Sequence, residues 1–581
     1  MATEAGTPVA ALQVGPKSEL NHAQSISTSF GKESATEDGG EPTELENSTL
    51  RHVGDKVPYS AYLVAVVELA ERFTYYGLTG PFQNYMQNPR GVVSDGARLP
   101  GALGLGQSSA TALSYFFQFW CYVTPIIGAI VADAWLGRYN AIMLFACIYL
   151  CGLIVIFTTS LPNSLDNGAG LGGLVVSMII LGLGTGGIKS NVSPLIAEQY
   201  TITKFRVKTL PTGERVIVDP NVTIQSLYNI FYWCINIGSL SSIATVWLEL
   251  KIDFWAAYLL PFCFFFIAIF VLVVGKKKYV VRPSSGSVLL EATKALWVGL
   301  KANGNMEAAK PSYQIANSGT STATWDDSFI DELKRALVAS RVFLFYPIYW
   351  LVYGQMVSNF VSMAGTMETH GLPNDLLFNL NPISIIIFIP VVEKGVYPLL
   401  RRLHIPFRPI TRIAFGFFLA SASMIYAAIV QHLIYTSGPC YEYPLECDGG
   451  ETPNRVHIAV QVPAYVFIGL SEIFASITGL EYAFTKAPAS MKSLVMSIFL
   501  LQNAFGSALG IALSPTSQNP KLVIMYSSIA AATLIAGLAF WFCFNKYNKV
   551  EEELNKLDAD NEKFKPRPLS ELNGIEIAEK A

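Results

Sequence analysis

The chain has 581 residues, 51% of them apolar and only 14% charged, with a formal net charge of -3. Ordinary soluble domains carry about 25% charged residues, so this composition fits a protein that crosses a membrane many times. The near-neutral charge argues against a nucleic-acid partner. The eight cysteines form neither a CxxC pair nor a His/Cys cluster, so no metal is expected.

Residues 1–55 are polar and rich in Ser, Thr, Glu and Gly, which predicts a disordered tail. Their start, "MATEAGTPVAALQVGPKSEL", lacks the apolar run of a cleavable signal, leaving the first span as the insertion signal. A crossing helix needs about 20 mostly apolar residues. Twelve candidates follow, near 60–87, 109–132, 139–161, 170–194, 222–247, 253–275, 341–367, 380–400, 410–433, 459–484, 493–514 and 522–545. Lys and Arg set orientation. They gather in the even-numbered loops, as at Arg138, at Lys204, Arg206, Lys208 and Arg215, and at Arg401, Arg402 and Arg408. Both termini are therefore expected in the cytoplasm. A long connection at 276–340 separates six spans (56–275) from six more (341–545), and 546–581 forms a cytoplasmic tail. Within the connection, "SVLLEATKALWVGLKA" reads as a helix lying on the membrane surface, and "WDDSFIDELKRALVASR" as a capped amphipathic helix. The expected fold is an all-α membrane protein of two six-helix bundles, the layout of a secondary transporter. In the outer loop "SGPCYEYPLECDGG", Cys440 and Cys447 face an oxidising side and could pair; two free thiols are the alternative.

The first span is weak by hydropathy because "VVELAERFTYYG" places Glu68, Glu71 and Arg72 within five residues. On a helix they fall at i, i+3 and i+4 and share one face. Glu68 lies roughly 14 Å along the helix from Tyr59, near the bilayer midplane. A charge there costs roughly 2.5 kcal/mol or more, so the group must face a bundle interior or a wet cavity. Two carboxylates against one guanidinium leave a negative surplus, which a proton on one carboxyl would relieve. The cluster is either a proton-binding device or a tie between helices. Lys189 late in the fourth span and Glu472 in the tenth belong to opposite halves. They could pair across a central cavity or bind the two ends of a zwitterion; Lys189 could instead snorkel to the interface. Asn236 and Asn381 are lone amides that could bond a ligand or bridge helices. "GLGTGG" follows no strand, so its glycines read as close helix packing. An enzyme reading finds no nucleophile–base pair and no cofactor loop.

"GAIVADAWLGRY" resembles the loop signature of the major facilitator superfamily, which makes Asp133 and Arg138 a latch between helix ends; positive-inside charge alone is the plainer reading. "ELAERFTYYG", "GTGGIKSNVS", "FYWCINIGSL" and "GLSEIFASITGLEYAFTKAPASMKS" together resemble the motifs of the proton-dependent oligopeptide transporters, over about residues 55–550, and "PIYWLVYGQMVSNF" looks closest to the fungal members. The resemblance implies proton-coupled symport of di- and tripeptides by alternating access, protons being the coupling ion and no cofactor being needed. It implies a monomer in the plasma membrane, with the vacuolar membrane as the alternative. Glu68, Glu71 and Arg72 become the coupling cluster, with Arg72 also open to a peptide carboxylate. Tyr76 and Tyr122 line the peptide site. Lys189 serves the carboxylate end and gating, and Glu472 meets the amino terminus and gates with it. Asn236 and Asn381 hold peptide backbone or amino groups, and Trp350 walls a side-chain pocket.

Three departures matter. Bacterial members often carry an Arg where this chain has Thr79 and an acid where it has Gly354, so the outer gate is expected to close by other contacts. Animal members carry a His where this chain has Tyr115, which throws more weight onto Glu68 and Glu71. Two rival readings are a relative carrying nitrate or an organic acid, and a non-transporting nutrient receptor. Glu472 argues against the anion carrier, since a small anion has no use for an amine-binding carboxylate.

Overall fold

Backbone polar groups inside a bilayer must be satisfied within the chain, so long apolar runs fold as helices. The computed structural model describes residues 38–563 apart from 92–98, 283–285, 319, 321–322, 404, 406 and 448–451. The elements run α1 (Glu44–Thr49), β1 (Arg51–Val53), α2 (Tyr59–Thr79), α3 (Phe82–Gln87), α4 (Gly106–Val131), α5 (Arg138–Thr159), α6 (Pro162–Asp166) and α7 (Ala169–Glu198). After β2 (Arg206–Thr209) and β3 (Arg215–Val218) come α8 (Pro220–Ser239), α9 (Ser241–Lys251) and α10 (Phe254–Gly275). The connection holds α11 (Val288–Lys301), α12 (Pro311–Ser318) and α13 (Asp327–Ser340). Then follow α14 (Tyr346–Gly354), α15 (Asn359–Gly365), β4 (Met367–Glu368), α16 (Leu380–Val391), α17 (Tyr397–Arg402), α18 (Pro409–Thr436), β5 (Asn454–His457), α19 (Val462–Glu472), α20 (Thr478–Lys486), α21 (Lys492–Leu513) and α22 (Leu522–Lys563).

Among the described residues, eleven helices are long and apolar enough to cross a membrane. The charged α2 is not one of them, although its 21 residues form one unbroken helix. Helices α2 and α4–α10 pack on one another, as do α14–α22, and α4 lies against α21 between the two sets. The end where residues 80–91, 99–105, 366–379, 437–447 and 452–457 meet is termed upper; the end where 38–55 and 199–219 meet is termed lower.

Two small sheets lie outside the long helices. Strand β3 sits between β1, its parallel partner, and β2, its antiparallel partner. This corrects the expectation of a disordered tail over 1–55. Its last part is pinned to the loop after α7 by the β1–β3 ladder, by Arg206–Asp55 and by Arg215–Glu46; the remainder, 1–37, lies outside the described residues. The other tail boundary shifts too, since α22 continues from the last span to Lys563. The expected surface helix α11 buries Leu289, Ala292 and Ala295 against neighbouring elements that include α21 and α4, while Trp297 and Leu300 stay exposed. The other expected helix, α13, is capped by Asp326, which accepts from Phe329 N at 2.9 Å. Lys334 of α13 pairs with Glu307, and Lys310 pairs with both Glu307 and Asp331 of α13; the two cations hold the Glu307 carboxyl below its usual range.

Cys440 and Cys447 are joined as a disulfide in the upper loop, with Cα atoms 5.5 Å apart. The glycines of α7 work as the small-residue pattern implies. A Cβ at Gly186 would stand 2.0 Å from Thr124 Oγ1, and one at Gly128 would stand 2.4 Å from the Gly187 Cα. With no side chain in the way, Thr124 donates to Gly182 O at 2.7 Å and Asn191 to Gly128 O at 3.1 Å.

Gly186→Val should therefore lower the thermal unfolding midpoint in detergent, with an overpacking cost of about 1–3 kcal/mol or more. Gly172→Val, where a Cβ meets nothing within 4 Å, is the control. Equal midpoints for the two would contradict the close contact.

Candidate substrate and proton site

The charged turn of α2 is fully enclosed. Glu68 is 3% exposed, and Glu71 and Arg72 are 0%. Arg72 Nε lies 3.1 Å from Glu68 Oε1, and Nη2 lies 2.6 Å from Glu71 Oε2. The helical spacing predicted from sequence thus becomes a fork with one guanidinium between two carboxylates. Two neighbours complete it. Thr185 on α7 donates to Glu71 Oε1. Gly238 on α8 lets the helices close, because a Cβ there would stand 2.8 Å from the Arg72 Cβ. The Arg72 guanidinium also stands 5.4 Å from the centre of the Tyr75 ring. A buried cation is tolerable only when paired and hydrogen-bonded like this.

Four residues from Thr185, and so on the same face of α7, Lys189 is half-buried with its ammonium 4.2 Å from the centre of the Tyr122 ring. This joins two expected site residues by a cation–π contact. In the other half, Asn381 on α16 donates to Glu472 Oε2 at 3.0 Å, and both are fully buried. Glu472 ends α19 where a π-helical turn, Ile473–Ile477, begins. Such turns insert an extra residue and recur at functional positions.

Between the halves lies a cavity whose lining includes Tyr76, Gln118 and Phe117 from one side and Tyr353, Phe378 and Asn381 from the other. Tyr76 and Asn381 were expected there; Gln118, Tyr353 and Phe378 were not singled out. Trp350 lies one turn below Tyr353 and is 1% exposed, wedged among Tyr349, Tyr353 and Phe499. It supports the Tyr353 ring rather than lining this cavity. Asn236 donates to Tyr232 O, one turn back in its own helix, at 2.8 Å. Asp133 and Arg138 stand 4.0 Å apart, and Arg138 makes its tighter contact with Glu198 at the end of α7.

The upper end of the cavity is laced shut by side-chain bonds between the halves. Gln107 and Thr111 donate to Asn359 Oδ1, Gln83 donates to Ser362, and Gln118 donates to Asn503. Tyr115 donates to Leu351 O at 2.9 Å and accepts from Gln355 at 2.7 Å. Its ring fills the space over two glycines. A Cβ on Gly354 would stand 2.3 Å from Tyr115 Cε1, and one on Gly510 would stand 2.5 Å from Cδ1. The missing acid at 354 and the Tyr at 115 are therefore one feature: the ring occupies the room an acid would need.

Removing the cation should show how the fork is held. Arg72→Met leaves two carboxylates buried without their partner, at a cost of about 3–5 kcal/mol. The expected result is a clear fall in the thermal midpoint, recovered in part by the triple variant Glu68→Gln, Glu71→Gln, Arg72→Met. An unchanged midpoint for Arg72→Met would contradict this account.

Comparison with known proteins agrees with the motifs. The family model described as POT family matches residues 139–535. The chain is 54% identical to peptide transporter PTR_A of Candidozyma auris, over 93% of this chain and 90% of that one. It is 50% identical to peptide transporter PTR2 of Saccharomyces cerevisiae, over 94% and 89%. Among solved structures, the POT family transporter PepTSo superposes with a TM-score of 0.66 at 18% identity, over 85% of this chain and 99% of that one. That likeness gives the fold. The chain belongs to the POT family.

Proposed function

We propose that the protein imports di- and tripeptides together with protons by alternating access. It does so as a monomer of twelve spans, the charged α2 being the first, with both termini cytoplasmic and the upper end outside. The plasma membrane is the site we favour. The relatives named as peptide transporters support the substrate class. The observation that carries the reading is Asn381, which both lines the cavity and holds the buried Glu472. It sets an amine-seeking carboxylate behind one wall of the cavity, while in the other half of the protein Arg72 stands over the ring of Tyr75, which lines the same cavity, and Lys189 over the ring of Tyr122.

A peptide zwitterion matches such a field end to end, because charge-assisted bonds to its termini are strong and its side chains can rest on Tyr and Phe rings. Coupling follows from the α2 fork. A proton on Glu71 or Glu68 removes one of the two charges that hold Arg72 and frees part of the guanidinium for a peptide carboxylate. Proton and peptide then favour the same arrangement, and rocking of the halves about the cavity carries both.

The test is uptake of labelled dialanine into proteoliposomes that are neutral inside and acidic outside. Accumulation that needs the gradient, and that tripeptide but not free alanine or nitrate blocks, is the expected outcome. No gradient-driven uptake by folded protein would sink the reading, and block by nitrate would turn it toward an anion carrier. Glu71→Gln should abolish accumulation yet keep dialanine exchange at equal pH. Glu472→Gln should weaken dialanine binding about tenfold or more, the worth of a charge-assisted bond.

A further inference from the structure

A second pair of buried carboxyls lies far from the α2 fork, where the halves meet at the upper end. Glu249 sits near the end of α9, 2% exposed, and Asp375 in the loop before α16, 1% exposed. The two carboxyls interact with one another across the boundary between the halves. Among the described residues neither has an ion-pair partner. An amide clamp holds the place. Asn84 donates to Glu249 Oε1 and to Asn374 Oδ1, both at 2.8 Å, and Asn374 donates back to Asn84 Oδ1 at 2.9 Å and to Val361 O at 3.0 Å. Asn84 and Glu249 belong to one half, and Asn374 and Asp375 to the other. That leaves Glu249 Oε2 and both oxygens of Asp375 buried with no donor.

Two ionised carboxylates are acceptors only, so they cannot bond each other and would repel inside a dry contact. One proton turns one of them into a donor and resolves both problems. Among the described residues the surrounding groups supply no cation. They are the phenols of Tyr85 on α3, Tyr258 on α10 and Tyr465 on α19, with Asp253 acting on Tyr85. Lys251, two residues from Glu249, turns to the Trp247 ring, and His370 and His457 stack at the loop rim with centroids 4.8 Å apart.

We propose that Glu249 and Asp375 form a proton-operated latch that closes the upper end of the cavity, distinct from the coupling cluster on α2. Open and solvated, the carboxyls ionise near 4, the usual range. Closed, burial pushes Asp375 up to about 7. Closure therefore takes up a proton that the open, solvated pair lacks, and acid favours the closed end; with both carboxyls ionised, closing means burying two like charges. The closed-to-open ratio rises as much as tenfold per pH unit as pH falls. With the upper end outside, this proton enters from the acidic side as the latch shuts and returns there when it opens. It gates and is not carried, so it leaves the number of protons per peptide unchanged.

The inference rests on alternating access, and the test separates the two. Spin labels are placed at Asn163→Cys and Lys521→Cys, on exposed or loop positions of the upper end of each half, with the free cysteines at 147, 151, 234, 263 and 543 changed to Ser. Their distance is read by double electron–electron resonance from pH 8 to pH 5, with and without dialanine. The expected result is a shift to the short distance on acidification. Asp375→Asn or Glu249→Gln, each giving the pair a permanent donor, should keep the short distance at every pH, although His370 and His457 remain. A wild-type distance blind to pH, or a folded variant with the wild-type response, overturns the latch. If dialanine moves the labels and pH does not, the latch alone falls; if neither moves them, alternating access falls with it.

Discussion

An ionisable group inside an apolar bundle must find its counterpart in the same bundle, and most of this structure is arranged around that need. Arg72 answers Glu68 and Glu71 on its own helix, but the answer is complete only because Thr185 and Gly238 come close from two other helices. The glycines of α7 and α8 are thus part of the electrostatics: without close backbones, the polar bonds that cross them would not reach. Asn381 and Glu472 repeat the arrangement in the other half with an amide in place of the cation.

The two carboxyl sites differ in what neutralises them. At the α2 fork a guanidinium offsets the charge, and a proton changes how tightly that cation is held. At Glu249 and Asp375 the described residues hold no cation to release, so a proton changes whether the surfaces can meet. One arrangement links protonation to a ligand and the other links it to a shape.

Much of this was legible in the sequence, for reasons of period and length. Apolar runs of span length placed the long helices, and the i, i+3, i+4 spacing placed Glu68, Glu71 and Arg72 on one face. What the sequence hid was whatever depends on distant segments meeting. Glu249 in "VWLELK" reads as an ordinary interfacial acid, and Asp375 in "GLPNDLLF" as a loop residue; only the fold sets them side by side. Thr185 was closer to reach, standing one turn from Lys189. The β2–β3 hairpin, "RVKTLPTGERVIV", alternates around a Pro-Thr-Gly turn, but strands this short and polar leave no mark in hydropathy. Trp350 carried a family role as a pocket wall, yet packing decides its place, behind Tyr353 rather than beside the cavity.

Tyr115 and Gly354 leave a further mark. The ring of one occupies the volume that any side chain on the other would need, and Gly510 gives room on the far side. An upper gate of this kind cannot be converted into a charge-paired one by single replacements. Adding an acid at 354 first collides with the ring, and trimming the ring first leaves a hole and takes the Tyr115 hydroxyl from Gln355. Either order passes through a damaged intermediate, so the two designs are separate solutions with a fitness valley between them, and a lineage that has settled on one tends to keep it.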